Sequence, residues 1–311
     1  MGLLVRTMTG ERCVLETEHL VGRSSRAALQ LEDAFVSSQH ALIRWVGDGW
    51  GLKELGSRNG TAIDGTPVPP GQLIRLRAGM TISFGNSEQT WSLVDDSPPR
   101  ASVIAVDGQG EPVFLEGDVL ALPSQDDVQA TVIRALPGSW KLEMQDVTLP
   151  LASGQVFEVG GRRFRFSIPD VVSETSSVVC REQAINTFRL EQVALEFRVS
   201  RDEEHVQIHV ELGAETIDLG SRSHNYLLLL LARERLAEAA QGVAAAACGW
   251  VDQEQLLRDL RMRADRLNID VFRIRKQFGA AGVLDAAHIV ERRPASRQLR
   301  IGVAKIAIHG V

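Results

Sequence analysis

The sequence is poor in the residues that mark secreted, membrane-spanning and redox proteins. Its 311 residues include three cysteines, Cys13, Cys180 and Cys248, and no pair of them has a CxxC or metal-binding spacing. So few thiols predict a reducing compartment, and we expect a cytoplasmic protein. The longest apolar run, from Tyr226 to Ala232, has seven residues, whereas a helix needs about 20 to cross a bilayer. The N-terminal residues lack the apolar core of a signal peptide, and we expect no membrane partner.

Motifs of catalysis are missing as well. The sequence has no glycine-rich phosphate cradle followed by lysine, no Gly-x-Ser-x-Gly nucleophile turn and no set of His and Cys at metal-ligand spacing. Such motifs position the nucleophiles, bases and metals of the common enzyme classes. His205 and His209 share one side of a predicted strand and could hold a metal, but a solvated strand face is the better interpretation. We expect no enzyme, no cofactor and no small-molecule substrate.

The composition is that of an ordinary globular protein, with 44% hydrophobic and 24% charged residues, and the length predicts two or three domains. The net charge of −6 is unevenly divided. Residues 214–311 carry 15 Lys and Arg against 11 Asp and Glu, a net +4, so that the other residues carry −10. A basic C-terminal part favours a polyanion as its partner.

Three short polar motifs follow one another between His19 and Thr61. They are Gly22-Arg23, then Ser37 with His40 three residues later, and then the run from Ser57 to Thr61. Apolar residues alternate between the motifs, which predicts β-strands with the polar motifs at strand ends and in loops. Arg, Ser and Asn side chains with loop N–H groups can together hold a phosphate and the extended peptide that carries it.

This order of motifs resembles the forkhead-associated (FHA) domain, a β-sandwich that reads phosphothreonine in partner proteins. The resemblance covers Gly2 to Asp95, and we place the domain at residues 1–96. It implies that Arg23 and Ser37 contact the phosphate. It also implies that Ser57 and Arg58 assist, that Asn59 holds the peptide backbone, and that Gly22, His40 and Gly60 shape the loops. The alternative is a β-sandwich that binds no phosphate.

Residues 101–170 resemble a degenerate copy of the first domain. A shift of 90 residues places Ile133-Arg134 on Ile43-Arg44, Trp140 on Trp50 and Leu142 on Leu52. The same shift puts Ala130 in place of His40 and Asp127 in place of Ser37, and a carboxylate repels a phosphate. We expect a degenerate FHA-like β-sandwich that packs or contacts partners without reading phosphothreonine. A chance likeness of two strand-rich segments is the alternative.

Residues 171–189 have no sustained period and contain several serines and threonines, which predicts a linker. Thr175 could be a kinase target and so a ligand for an FHA domain of the same or another molecule. A solvated spacer is the simpler interpretation.

Residues 190–311 predict a domain of strands followed by three helices and a hairpin. Strand alternation runs from Val193 to Leu212, and helices are expected at about 225–240, from Asp252 onward, and at about 265–278. The third helix carries an apolar stripe spaced four, three and four residues. Two strands around 288–293 and 298–301 enclose a basic tip. Strands, three helices and a basic hairpin indicate a winged helix.

This segment resembles the effector domain of OmpR/PhoB-type transcription factors. The residues that carry the resemblance are Gly249-Trp250-Val251, Leu267-Asn268-Ile269, Arg273-Ile274-Arg275-Lys276 and the hairpin from Ile289 to Ile301. The resemblance implies that the third helix enters the major groove and that the hairpin approaches the minor groove. It implies DNA contacts by Arg273, Arg275, Lys276, Arg293 and Arg297. Asp265, Asp270 and Phe272 depart from that pattern, in which basic or polar residues are common at these positions. The two carboxylates near a phosphate backbone would reduce the affinity for DNA.

The sequence thus predicts a multidomain chain: an FHA β-sandwich, a second FHA-like β-sandwich and an α+β winged helix. We expect a bacterial transcriptional regulator that binds a phosphothreonine-containing protein, a kinase or its target, and double-stranded DNA. The alternative is a phosphopeptide-binding scaffold whose winged helix contacts protein.

Overall fold

The computed structural model describes residues 2–106, 112–115, 117–136, 139–168, 188–213 and 215–310. The described residues form two compact units, one of residues 2–102 with 167–168 and one of residues 103–166 with 188–310. The second sandwich and the winged helix, which the sequence predicts as separate domains, therefore lie in one unit. Thr175 and Cys180 lie outside the described residues. No helix within the described residues is long and apolar enough to cross a membrane.

The first unit is built of two facing sheets. Its strands are β1 (Leu3–Arg6), β2 (Arg12–Val14), β3 (Glu18–Gly22), β4 (Leu29–Gln30), β5 (Ala41–Val46), β6 (Gly49–Glu54), β7 (Thr61–Ile63), β8 (Thr66–Pro67), β9 (Leu73–Arg75), β10 (Thr81–Phe84) and β11 (Thr90–Asp95). The strand orders are β2-β1-β11-β10-β7-β8 and β4-β3-β5-β6-β9. Alternating apolar residues of both sheets, Leu4, Ile43, Trp50, Phe84 and Trp91 among them, are fully buried between them.

The pairing of β5 with β6 decides where the polar motifs lie. These strands are antiparallel, and Ala41 at the start of β5 is opposite Glu54 at the end of β6. The loop that precedes β5 and the loop that follows β6 must therefore leave the sheet at the same end. The second and third polar motifs of the sequence lie in these two loops.

Two further sheets form the first part of the second unit. Their strands are β12 (Ser102–Ala105), β13 (Val113–Phe114), β14 (Val119–Pro123), β15 (Val128–Leu136), β16 (Ser139–Met144), β17 (Thr148–Leu151), β18 (Val156–Val159) and β19 (Arg162–Ser167). The orders are β13-β12-β19-β18 and β14-β15-β16-β17. The ring of Trp140 in one sheet meets that of Phe166 in the other edge-on, with 5.5 Å between centroids. We call β12–β19 the middle sandwich.

The middle sandwich repeats the strand order of the first unit. In one sheet the order β13-β12-β19-β18 corresponds to β2-β1-β11-β10 of the first unit. In the other sheet the order β14-β15-β16-β17 corresponds to β3-β5-β6-β9. Trp140 and Leu142 are buried, as Trp50 and Leu52 are. Among the described residues the middle sandwich has no counterparts of β4, β7 and β8, the short strands that flank the polar loops of the first unit.

The C-terminal part of the second unit, residues 188–310, has the predicted order of strands, helices and hairpin. Its elements are β20 (Val193–Val199), β21 (Val206–Leu212), β22 (Glu215–Ser221), α1 (Asn225–Ala240), β23 (Val251–Asp252), α2 (Gln253–Asp259), α3 (Ala264–Ala280), β24 (Val290–Arg293), β25 (Gln298–Ile301) and β26 (Lys305–Gly310). The sheets are ordered β22-β21-β20-β26 and β23-β25-β24. The parallel pairing of β26 with β20 was not foreseen in the sequence.

Local signals explain the helix positions. The carboxylate of Asp252 accepts hydrogen bonds from the backbone N–H groups of Glu254 and Gln255 at 2.9 and 3.1 Å, which starts α2 as an N-cap does. The predicted stripe of α3, Leu267, Val271, Ile274 and Phe278, is buried. This stripe packs in one core with α1 and the strands of the C-terminal part.

Candidate functional site

The first two polar motifs are tied together by backbone hydrogen bonds. The N–H of Arg23 donates to the carbonyl oxygen of Ser37 at 2.9 Å, and that of Ser24 donates to Ser38 at 3.1 Å. Gly22 permits this approach, because a Cβ atom there would lie 2.3 Å from the carbonyl oxygen of Ser38. Arg23, which directly follows β3, is thereby held against the loop that carries Ser37.

His40 joins the second motif to the third. Its Nδ1 accepts a hydrogen bond from the backbone N–H of Ser37 at 3.1 Å, and its Nε2 lies 2.9 Å from the carbonyl oxygen of Gly60. An amide donor on one side and a carbonyl acceptor on the other fix the neutral tautomer with the proton on Nε2. Burial of the ring lowers the pKa of His40 more than the Gly60 hydrogen bond and nearby Glu54 raise it.

Two serine hydroxyls organise the loop after β6. The hydroxyl of Ser37 accepts a hydrogen bond from the backbone N–H of Arg58 at 3.1 Å, and that of Ser57 accepts from Gly60 at 3.1 Å. Gly60 takes φ +76°, a left-handed conformation that glycine adopts without strain. The loop therefore turns sharply beside Ser37.

Buried Glu54 is a residue of the site that the sequence motifs did not single out. Its carboxylate accepts hydrogen bonds from the backbone N–H groups of Gly56 and Ser57 at 2.7 and 2.6 Å. Burial alone would raise the pKa of Glu54, but the hydrogen bonds from Ser57 and Gly56 outweigh it and the pKa is lowered. A carboxylate at the end of a largely buried strand was the available signal.

Asn59 and Phe35 close the site on its outer side. The side-chain amide of Asn59 donates to the carbonyl oxygen of Phe35 at 2.8 Å, while the Phe35 ring is 56% exposed. The Nε of Arg23 donates to the carbonyl oxygen of Val36 at 3.3 Å. The side chains of Arg23 and Arg58 are exposed. The structure thus gathers all eight residues predicted for this site: Gly22, Arg23, Ser37, His40, Ser57, Arg58, Asn59 and Gly60.

The cations predicted to contact DNA lie in a different environment. Arg273 of α3 is 3.6 Å from a carboxylate oxygen of Asp126, and Arg297 at the hairpin tip is 2.9 Å from Asp146. The ammonium group of Lys276 donates to the side-chain oxygen of Gln125 at 3.3 Å. Gln125, Asp126 and Asp146 all lie in turns of the middle sandwich.

Arg275 is buried, with 1% of its surface exposed. Its guanidinium donates two hydrogen bonds to the Glu143 carboxylate, at 2.8 and 3.2 Å, and one to the carbonyl oxygen of Val290 at 2.7 Å. Arg292 lies 3.3 Å from the same carboxylate. Burial would raise the pKa of Glu143, but Arg275 and Arg292 hold it below its usual range. Burial lowers the pKa of Arg292. In this arrangement Arg275 is turned to the middle sandwich and not to solvent.

An apolar contact surrounds these ion pairs. Phe272 of α3 is 3% exposed, and it packs in one cluster with strands of the middle sandwich. The members of the cluster are Val119, Ala121, Val128, Ile133, Ile269, Phe272 and Ala287. Phe272 thus has a partner that accounts for its departure from the DNA-binding pattern. Asp270 pairs with Arg266 one helical turn away at 3.1 Å.

Arg293, the fifth predicted DNA contact, lies on the hairpin against an aromatic ring. Its guanidinium is 3.8 Å from the centroid of Trp250, which Arg300 also approaches at 4.5 Å. Arg293 is exposed. Of the five predicted cations, Arg273, Arg275 and Arg297 meet carboxylates of the middle sandwich. Lys276 meets the side-chain amide of Gln125, and Arg293 stacks on the ring of Trp250.

The described residues hold no group of three or more His, Cys, Asp and Glu placed to bind a metal ion. His209 lies about 4 Å from Glu196 and Asp218. Cys13 Sγ lies 3.2 Å from His19 Nε2. Burial and the nearby Glu11 and Glu16 raise the pKa of Cys13 to about 12, and burial lowers the pKa of His19 to about 4. Such a pair is a neutral core contact.

The family model of the FHA domain matches residues 19–85, so this part of the chain is an FHA domain. FhaB of Mycobacterium tuberculosis is 33% identical over 81 residues, which are 26% of this chain and 51% of FhaB. FhaA of the same organism is 38% identical over 73 residues, 24% of this chain and 13% of FhaA. The chain therefore spans about half of one relative and a smaller part of the other.

Among solved structures, one from a study of phosphothreonine-dependent FHA domain interactions is 27% identical, with a TM-score of 0.28. The match covers 32% of this chain and all of that one.

Proposed function

We propose that this protein binds phosphothreonine peptides at the loop ends of its FHA domain and couples that binding to a C-terminal winged helix. The observation that carries the first half is the hydrogen-bonded set of loops around Ser37. One hydroxyl, that of Ser37, touches the third motif, while the backbone of the same residue touches both Arg23 and His40. The site is thus preformed before a ligand arrives.

The chemistry of the exposed groups suits a phosphorylated peptide. Arg23 and Arg58 offer guanidinium groups, which bind phosphate oxygens through charge-assisted hydrogen bonds. Ser37 offers a hydroxyl donor between them in the network. Asn59 has a side-chain oxygen beyond the amide that holds Phe35, and such an oxygen can accept a hydrogen bond from a peptide backbone. We assign Arg23, Ser37, Ser57 and Arg58 to the phosphate side and Asn59 to the peptide backbone.

Binding of phosphorylated peptides by the full chain tests this assignment. Fluorescence anisotropy would be measured with a degenerate phosphothreonine peptide library and with its unphosphorylated and phosphoserine counterparts. We expect only the phosphothreonine library to bind well, and Arg23→Ala or Ser37→Ala to weaken it by at least about tenfold, as loss of a charge-assisted hydrogen bond does. Arg77→Ala is the matched control, because this exposed arginine lies in the turn before β10, at the strand end away from Gly60. Equal binding by Arg23→Ala and wild type would refute the assignment.

For the second half we propose that the protein is a transcriptional regulator whose C-terminal part binds double-stranded DNA. The order of strands, three helices and hairpin supports it, as does the cluster of cations on α3 and at the hairpin tip. Binding to a random duplex at about 50 mM salt is the test, since non-specific binding there depends on phosphate contacts. A steep fall of affinity with salt, and its loss in Arg273→Ala with Arg297→Ala, is the expected result.

A scaffold is the second candidate, and the burial of Arg275 and Phe272 against the middle sandwich favours it. A winged helix whose third helix already holds a protein domain is suited to protein contacts. A scaffold would form salt-tolerant protein complexes and shift no duplex at about 50 mM salt. We place the DNA-binding regulator first, because four of its five predicted cations, all except Arg275, remain at least partly exposed.

A further inference from the structure

We propose that the middle sandwich is a built-in competitor of DNA, with Asp126, Glu143 and Asp146 holding the arginines that would otherwise hold phosphates. This inference rests on the DNA-binding half of the proposed function. It assigns to the middle sandwich, which lacks the loops of the FHA site, a ligand within its own chain.

The charged contacts involve both elements of the predicted DNA surface, α3 and the hairpin. Arg273 and Arg275 project from α3, whereas Arg297 lies at the hairpin tip, and each meets a different carboxylate of the middle sandwich. A duplex would also have to reach both elements, one through the major groove and the other beside it. The three carboxylates thus hold arginines on both of the elements that would have to contact DNA.

The contact of Arg275 with Glu143 has the geometry of anion recognition. Two nitrogen atoms of one guanidinium donate to the two oxygens of one carboxylate, the bidentate arrangement that arginine also makes with phosphate. Because Arg275 is buried against the middle sandwich, a DNA phosphate cannot reach its guanidinium while Glu143 holds it. The bound sandwich and bound DNA are therefore mutually exclusive states.

Apolar packing shows that the contact is a built interface and not a chance meeting of surface charges. Phe272 projects into Val119, Ala121, Val128 and Ile133, a contact that removes a large ring from water. A helix devoted only to DNA has no use for a phenylalanine that is buried against another part of the same chain. Exposed ion pairs alone contribute little free energy. Phe272 and the buried Glu143 therefore supply most of the free energy that holds α3 against the middle sandwich.

The charge balance of the two parts agrees with this role. Residues 101–170 contain ten Asp and Glu against five Lys and Arg, a net −5, whereas residues 214–311 carry +4. Opposite charges on facing surfaces favour association and fix its register. If the open state is a small fraction of the molecules, the apparent DNA affinity is reduced by that fraction.

The test compares DNA binding by full-length variants with equal changes of charge. Asp126→Asn with Asp146→Asn removes the two exposed carboxylates that meet Arg273 and Arg297. Asp127→Asn with Glu158→Gln removes two exposed carboxylates of the same sandwich that face neither arginine, and so controls for net charge. We expect the first double variant to bind a random duplex at about 50 mM salt roughly fivefold more tightly than the control, because weaker ion pairs populate the open state. Hydrogen exchange of residues 119–136 and 264–280 would be measured in parallel, and we expect it to be faster in the first variant.

Two results would overturn the proposal, and they differ. If exchange shows that residues 264–280 are released in the first double variant and it still binds DNA no better than the control, the sandwich is no competitor, although DNA binding itself stands. If no variant binds DNA while exchange shows that residues 264–280 are released in the first double variant, DNA is not the ligand of α3. The competitor role and the regulator half of the proposed function then fail together, while phosphopeptide binding is untouched.

Discussion

The imidazole Nε2 of His40 lies 2.9 Å from the carbonyl oxygen of Gly60, twenty residues further along the chain. The opposite ring nitrogen accepts the N–H of Ser37. One buried side chain thereby fixes the distance between the two loops that carry the candidate phosphopeptide residues. A ring with both nitrogens engaged cannot rotate without breaking one bond, so the loops are held rigidly before binding.

Replacement of His40 should therefore weaken peptide binding without removing any group that touches the ligand. We expect His40→Ala to lower affinity for phosphothreonine peptides by about tenfold and the free energy of unfolding by about 1–3 kcal/mol, because two partly buried hydrogen-bonding groups lose their partner. Calorimetric titration and urea unfolding measure the two effects. His205→Ala is the control, since His205 is exposed. Unchanged affinity in a folded His40→Ala protein would show that the ring is not needed to position the loops.

Gly22 should not tolerate even one added methyl group. In Gly22→Ala the new Cβ would meet the Ser38 carbonyl oxygen at 2.3 Å, so the loop that carries Ser37 must move away. We expect weakened peptide binding together with a loss of stability. Gly47→Ala is the matched control, because Gly47 has φ +62° with open space around it and suffers backbone strain of only about 1 kcal/mol. Thermal unfolding and anisotropy should rank Gly22→Ala well below Gly47→Ala; the reverse order would contradict the close approach.

His19 should make the FHA domain sensitive to acid. Its pKa is about 4 in the folded chain against 6.5 unfolded, because of burial, so below pH 6.5 the unfolded state binds the extra proton. The stability that depends on neutral His19 is complete above pH 6.5 and is lost as the pH falls toward 4, by about 3 kcal/mol in all. Urea unfolding of wild type and His19→Gln at several pH values measures it. Their difference in unfolding free energy should shrink between pH 7 and pH 4.5; a constant difference would contradict the prediction.

Glu143 should matter more for stability than an exposed acid does. In Glu143→Ala, Arg275 and Arg292 would remain buried without their carboxylate, and breaking a buried pair in this way costs about 3–5 kcal/mol. Glu158→Ala, an exposed site in the same sandwich, should stay within about 0.5 kcal/mol of wild type. Replacing Glu143, Arg275 and Arg292 together with methionine should recover much of the loss, because no buried charge is then left without a partner. Equal stability of Glu143→Ala and Glu158→Ala would contradict the buried ion pair.

The proximity of the candidate phosphopeptide residues was predictable from the sequence because they lie in short motifs. Loop residues such as Ser57, Asn59 and Gly60 act within a few positions of one another, so the spacing itself carries the geometry. Glu54 was missed, since a lone carboxylate at a strand end has no motif, and its role depends on which N–H groups the next turn directs toward it. The strand alternation around Trp50 and Trp140 was likewise a local signal.

The environment of Arg275 could not be foreseen in the same way. Its partner Glu143 lies 132 residues away along the chain. Nothing in the local sequence around either residue indicates that the two side chains pair. The sequence did show that Phe272 and Asp270 are unusual for a DNA-reading helix. It offered no means of telling whether a buried partner or a change of function explains them, because that depends on how two domains dock.

The two halves of the Arg275–Glu143 contact belong to one polypeptide, and this sets the terms on which anything else can bind α3. Tethered groups face each other at an effective concentration on the order of millimolar, whatever the amount of protein in the cell. Dilution cannot separate them, and overproduction cannot saturate them. A competing ligand must therefore displace the contact through its own concentration and affinity, or a signal must first weaken the contact. The free energy that the ligand has to overcome is set by the covalent linkage of the two parts and does not change with protein concentration.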